Sequence, residues 1–134
     1  MDPAQIAQLP LGPLAERMGL ELLHLEPARA EGRCPVAGNT QPFGLWHGGA
    51  SCVLAETLAS VAAIAEVGPD GRAAGVELNA THLAAARDGW VHGTAEAIRI
   101  GRTLATYQVE LRDDAGTLVC VARVTVSLQR AATS

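Results

Sequence analysis

Four side chains able to do chemistry cluster near the middle of the chain: Gln41, His47, Glu56 and Ser60, with Gly48 and Gly49 directly after the histidine. Glu56 interrupts the apolar run Ala50-Ser51-Cys52-Val53-Leu54-Ala55-Glu56-Thr57-Leu58-Ala59. A carboxylate in such surroundings needs hydrogen bonds or a charged partner, otherwise its pKa rises and it turns neutral. The expectation is therefore a buried, functional Glu56. Ser60, four residues on, shares its helix face and can orient the carboxylate or a water. His47-Gly48-Gly49 opens the helix, where free backbone N–H groups and the positive end of the helix dipole meet. Glycine there allows close approach to the backbone. Together these features suit a carbonyl oxygen that becomes negative during a reaction.

Spacing adds a constraint. Gly48 and Glu56 are eight residues apart, which on one helix is about 12 Å along the axis. A single small carbonyl group cannot touch both. If the glycine N–H polarises the carbonyl and Glu56 attacks it, the two come from different chains, which predicts a symmetric dimer with shared sites.

The elements that must position these groups follow from pattern. The spacing predicts a short N-terminal helix region over residues 1–19, opened by Asp2-Pro3 and stopped by Gly19. Residues 20–129 form the core, in a single domain spanning 1–134. Glu21 to Leu25 reads as a strand and Glu31 to Val36 as its antiparallel partner, before a loop over Ala37 to Gly44. The helix from His47 to about Val67 is apolar all round, which implies burial on nearly all sides. Four strands follow: Ala73 to Leu83, Gly89 to Ile100, Thr103 to Arg112 and Thr117 to Gln129, the last with a slip of register near Ala122-Arg123. Asp113-Asp114-Ala115-Gly116 is a strong hairpin turn and Gly101-Arg102 a weaker one. Two strands, one long helix and a four-strand meander define an α+β fold, an antiparallel sheet around a central helix, rather than a doubly wound parallel sheet.

Composition narrows the class. At 49% apolar residues the chain can build a core, so general disorder is excluded. A net charge of −4 with scattered basic residues offers no nucleic-acid surface. The apolar stretch Ala50 to Ala65 is shorter than the roughly 20 residues a membrane span needs, and the N-terminus lacks a signal-peptide pattern. Three cysteines, Cys34, Cys52 and Cys120, without C-x-x-C spacing argue against disulfides and against a zinc site, and point to the cytoplasm.

Gln41-Pro42-Phe43-Gly44-Leu45-Trp46-His47-Gly48-Gly49-Ala50-Ser51, followed by Glu56 and Ser60, resembles the hotdog-fold acyl-CoA thioesterases. Within these it is most similar to the PaaI-like group that contains the 1,4-dihydroxy-2-naphthoyl-CoA and enterobactin proofreading thioesterases. The likeness continues through Gly75 to His82, the Arg87-Asp88-Gly89 turn and Arg123. H-G-G alone is a weak motif; the five residue types at these spacings are a strong one. The resemblance implies hydrolysis of aromatic or bulky acyl-CoA to free acid and coenzyme A. Glu56 would be the nucleophile or general base and the opposite subunit's Gly48 N–H the polarising donor. His47 and Gln41 would position thioester and water, and Ser60 would orient that water or Glu56. It further implies a tetramer built as a dimer of dimers, without metal or cofactor. For coenzyme A the candidate contacts are Gly49, His82, Arg87, Gly101 and Arg102, where turn arginines can meet phosphates.

Blander readings stand beside these. Gly48-Gly49 alone suits an ordinary helix entry, His47 an N-cap, and Ser60 helix packing. Arg87 and Arg102 fit solvated turns, and His24 and His92 structural strand positions. Two functions compete with acyl-CoA hydrolysis: proofreading of mis-acylated acyl carrier protein by the same chemistry, and non-catalytic acyl-CoA binding.

Overall fold

The computed structural model describes residues 1–132. Within the helical region expected over 1–19 the N-terminal stretch forms two short helices, α1 (Pro3–Ala7) and α2 (Pro13–Met18). The break has a local cause: Pro10 lacks a backbone N–H, and Gly12 takes φ +92°, outside the helical region. Asp2 and Gln5 cap α1 reciprocally, and Gly19 ends α2 in the left-handed conformation at φ +76°.

Strands β1 (Glu21–Glu26) and β2 (Arg29–Pro35) form a hairpin. After α3 (Gly48–Val67) come β3 (Arg72–His82), β4 (Trp90–Ile100), β5 (Leu104–Arg112) and β6 (Leu118–Gln129). The six strands make one antiparallel sheet in the order β1-β2-β4-β5-β6-β3. Both turns named from sequence close hairpins. The Asp113 carboxylate accepts from the N–H groups of Ala115 and Thr117, and the Gly101 N–H donates to the Leu104 carbonyl.

The sheet wraps around α3. Leu54, Leu58 and the small residues Ala55, Ala59, Ala62 and Ala63 turn inward and are fully buried. Leu58 sits in a depression made by two glycines paired across β2 and β4, Gly32 and Gly93. A Cβ at Gly93 would lie 2.7 Å from Leu58, and one at Gly32 2.9 Å from it. These two positions fix how closely the helix approaches the sheet. Tyr107, also buried, donates its hydroxyl to the Pro27 carbonyl at 2.7 Å. Burial, with a smaller contribution from Glu66, pushes its pKa up to about 12.

Three expectations need correction. Helix α3 is not covered on all sides: Glu56 and Ile64 are exposed and Val53, Thr57, Ser60 and Val61 half-buried. Apolar residues all round show only that every face avoids water somewhere, and one chain covers a single face. Its length is also that of a membrane span, so length does not decide the matter; packing of its inner face on the sheet makes it a core helix. In β6 the inward set is Cys120, Ala122, Val124, Val126 and Leu128, and the alternation breaks at Val119-Cys120 rather than Ala122-Arg123. The ladder shifts there, Leu111 pairing with Cys120 and Arg112 with Leu118, which leaves Val119 as a bulged residue.

Candidate active site

The loop before α3 is a small hairpin. Thr40 bridges Trp46, the Gln41 N–H donates to the Leu45 carbonyl, and the His47 N–H donates to the Asn39 carbonyl. Gln41 is the N-terminal arm of its tip. Its side-chain Oε1 accepts from the N–H groups of Phe43 and Leu45, which fixes the amide and leaves Nε2 to face outward as a donor. Phe43, next to it, is 87% exposed, the most exposed large apolar residue recorded. Trp46 instead points into the core, where its indole N–H donates to the buried Ser51 hydroxyl at 2.6 Å.

His47 is the N-cap of α3, and its Nδ1 accepts from the Gly49 N–H at 2.7 Å. An accepting Nδ1 places the ring proton of the neutral imidazole on Nε2, which then is a donor. The cap also decides which backbone donor is free. The N–H groups of Ala50 and Ser51 donate to the His47 carbonyl and that of Gly49 to the imidazole, whereas the Gly48 N–H has no partner among the described residues. Gly48 is also crowded by an aromatic ring, since a Cβ there would stand 3.0 Å from the His82 imidazole. His47, Gly48 and His82 therefore meet at the head of the helix, with Gln41 on the hairpin that leads into it.

Glu56 and Ser60 lie farther down. Eight residues separate Gly48 from Glu56, about 12 Å along α3. Glu56 is exposed, not buried as the sequence implied, and its carboxylate lies against β3: a Cβ on Gly75 would be 2.6 Å from Oε1. Gly75 sits at a bulge, where the β3–β6 ladder steps from Gly75 to Glu77 and leaves Val76 unpaired. A glycine isolated in a strand pattern is the signal that could have marked this close approach. No hydrogen bond joins Ser60 to Glu56 among the described residues, but both open into one groove of about 330 Å³ beside Val53, Val61 and Ile64. The far wall of that groove is Pro10 and Leu11, between the N-terminal helices, and Leu14 of α2, a contribution the sequence reading missed because that segment carries no polar residue type that marks chemistry.

The coenzyme A candidates are not brought together. Arg87 lies before β4 in a recess with Asp88, Asp113 and Asp114, while Gly101 and Arg102 follow the other end of that strand. The 11 residues of β4, stepping about 3.3 Å each, put its two ends about 33 Å apart. The carbonyls of Gly101 and Arg102 accept from the Arg130 guanidinium, which also pairs with Glu66 at 2.8 Å. These are two separate candidate phosphate contacts rather than one cradle. Gly49 has its N–H committed to His47 and offers only close access to the backbone. Burial pushes the Cys34 thiol up to about 11 and raises that of Cys120, which disfavours the thiolate at both. Among the described residues no group of His, Cys, Asp and Glu could hold a metal ion.

An antiparallel sheet folded around one helix, with a carboxylate on that helix and a free glycine N–H at its head, is the arrangement that the resemblance to hotdog-fold thioester hydrolases implies. Residues 43–120 match the family model described as the thioesterase superfamily, and the chain belongs to that family. It is 38% identical over 118 residues to the 1,4-dihydroxy-2-naphthoyl-CoA hydrolase of Listeria monocytogenes, covering 87% of this chain and 96% of that one. To the proofreading thioesterase EntH of Cronobacter turicensis it is 34% identical over 119 residues, covering 88% and 87%. The solved structure of thioesterase HI1161 from Haemophilus influenzae superposes with a TM-score of 0.89 at 31% identity, covering 97% of this chain and 92% of that one. The protein is a thioesterase.

Proposed function

We propose that this thioesterase hydrolyses acyl-CoA carrying an aromatic or otherwise bulky acyl group, at sites shared between two copies of the chain. The observation that carries the reading is the split of the site. Glu56 opens onto an apolar groove, while the free Gly48 N–H lies about 12 Å away on the same helix. A second copy supplies the missing half. Strand β3 supports this, being an eleven-residue edge strand paired on one side only and free of proline and lysine. Such an edge is a template for another strand. Pairing along β3 covers the exposed face of α3 and carries the partner subunit's helix head toward Glu56. Two such dimers assemble into a tetramer.

In this arrangement the acyl group lies in the groove beside Glu56, and its carbonyl oxygen accepts from the Gly48 N–H of the opposite chain. Glu56 attacks the carbonyl carbon, or takes a proton from a water that does so. Negative charge gathers on the oxygen and is met by the amide and the helix dipole. The C–S bond then breaks and coenzyme A leaves as a thiolate that takes up a proton, from Glu56 where the carboxylate has activated the water. Where Glu56 has attacked directly, a water hydrolyses the resulting anhydride to the free acid and restores the carboxylate. Gln41 Nε2 and His47 Nε2 are donors that hold thioester and water in place.

The test uses hydrolysis of benzoyl-CoA and naphthoyl-CoA, read by thiol release. Glu56→Gln is expected to lose about 10³-fold or more in kcat, as removal of a nucleophile or base does. Mixing inactive Gln41→Ala and Glu56→Ala chains is expected to restore activity in heterodimers, because one of the two sites then holds both intact residues. No recovery on mixing, with subunit exchange verified, counts against the shared site. Comparing the same acyl groups on coenzyme A and on an acyl carrier protein separates the proofreading reading, and turnover itself separates a mere binding protein.

A further inference from the structure

Pro10 and Leu11 line two grooves at once. On one side is the groove of about 330 Å³ that holds Glu56 and Ser60. On the other is a second, open groove of about 540 Å³ between α1, α2 and β1, lined by Leu9, Leu20 and Leu22 with Gln8, Glu16 and Glu21 among them. Only the Pro10-Leu11 segment belongs to both. We infer that Leu11 is the partition that sets the upper size of the acyl group, so that the N-terminal segment rather than the sheet determines substrate size. The inference rests on the proposed assignment of the Glu56 groove to the acyl chain.

Three observations support it. The segment is anchored on both sides, and Leu11 itself packs against the core: Ile6 of α1 is buried, the Leu9 N–H donates to the Ile6 carbonyl, and the Glu16 N–H donates to the Gly12 carbonyl. A proline and two short helices therefore present Leu11 as a wall rather than a loose flap. The rim of the first groove is apolar, with Leu14 58% and Ile64 50% exposed in a single chain, so an acyl group lying between this rim and the partner subunit meets apolar surface. Size fits as well. A dry cavity of about 150 Å³ accepts a benzene ring, so the first groove has room for one or two fused rings, and a long linear chain that stays against the N-terminal segment runs past Leu11 into the second.

The experiment compares benzoyl-, naphthoyl- and palmitoyl-CoA with wild type, Leu11→Ala, Leu11→Trp and Leu14→Ala. Their S-alkyl and S-arylmethyl thioether analogues are titrated by calorimetry onto the same variants in a Glu56→Gln background. Leu11→Ala is expected to raise palmitoyl relative to benzoyl about tenfold or more in kcat/KM and in thioether affinity. Leu11→Trp is expected to lower naphthoyl relative to benzoyl by a similar factor. Leu14 is exposed, so its alanine variant folds readily and tests the rim alone: it weakens naphthoyl binding without admitting palmitoyl. If the size ratios follow the wild type in both Leu11 variants, the partition is overturned. If Glu56→Gln hydrolyses at the wild-type rate, the catalytic reading falls while the thioether series still decides the role of Leu11.

Discussion

Replacing Gly75 by alanine displaces the Glu56 carboxylate, the proposed catalytic group, without altering the glutamate itself. The added Cβ stands 2.6 Å from Glu56 Oε1, and ordinary contact begins near 3.4 Å. The carboxylate must therefore shift by about 0.8 Å, a displacement on the scale at which misplacement of a reacting group costs about 10²-fold in rate. The fold itself is affected little. The atom met is the far end of a flexible side chain, and Gly75 is an exposed residue of an edge strand at a bulge, where a substitution costs about 0.5 kcal/mol or less. The assay pairs thiol release from benzoyl-CoA with a thermal melt and gel filtration of the same preparation. The expected outcome is a fall in kcat of about ten- to a hundredfold with an unaltered melt and elution volume. A Gly75→Ala protein with wild-type kcat beside an inactive Glu56→Gln would refute the claim that β3 places the carboxylate. A variant that elutes differently would shift the effect from positioning to assembly.

Other perturbations test the frame. Gly93→Ala sets a methyl 2.7 Å from Leu58 and 2.8 Å from Leu111, both buried, so chemical denaturation should show about 1–3 kcal/mol of lost stability. The Asp114 carboxylate bonds the His92 imidazole at 2.7 Å and accepts from the Trp90 N–H, tying the β5–β6 turn to the start of β4. The bond to His92, then the Trp90 N–H, holds its pKa below the usual carboxylate value. In the window between the folded and unfolded pKa values the unfolded chain binds more protons. The stabilisation is thus present above about pH 4 and lost as pH falls through the lowered folded value. The Tm difference between wild type and Asp114→Asn should accordingly shrink on acidification below that point, and a constant difference would count against the linkage.

Much of the architecture was legible because its causes are local. Alternation marked the strands, Asp113 to Gly116 carried turn chemistry, and His47-Gly48-Gly49 announced a helix head that the structure caps through the imidazole. The spacing from Gly48 to Glu56 already showed that one helix cannot place both groups on one carbonyl. Other features depend on partners distant in sequence. Val119 is bulged because β5 shifts register opposite it, and an apolar Val121 on the outer face disguised the break. Glu56 looked buried because its neighbours are apolar, yet burial is a property of what packs on a face, and the sheet packs only on the opposite one.

The sequence by itself determined the elements, their turns and the residue types of the chemistry, since each depends on steric and hydrogen-bonding preferences within a few residues. Only the tertiary structure decided that Gly75 receives the Glu56 carboxylate, that Gly48 keeps the free N–H, and that Pro10 and Leu11 wall the groove. Those depend on distances between segments far apart in the chain, which pattern along the chain does not encode.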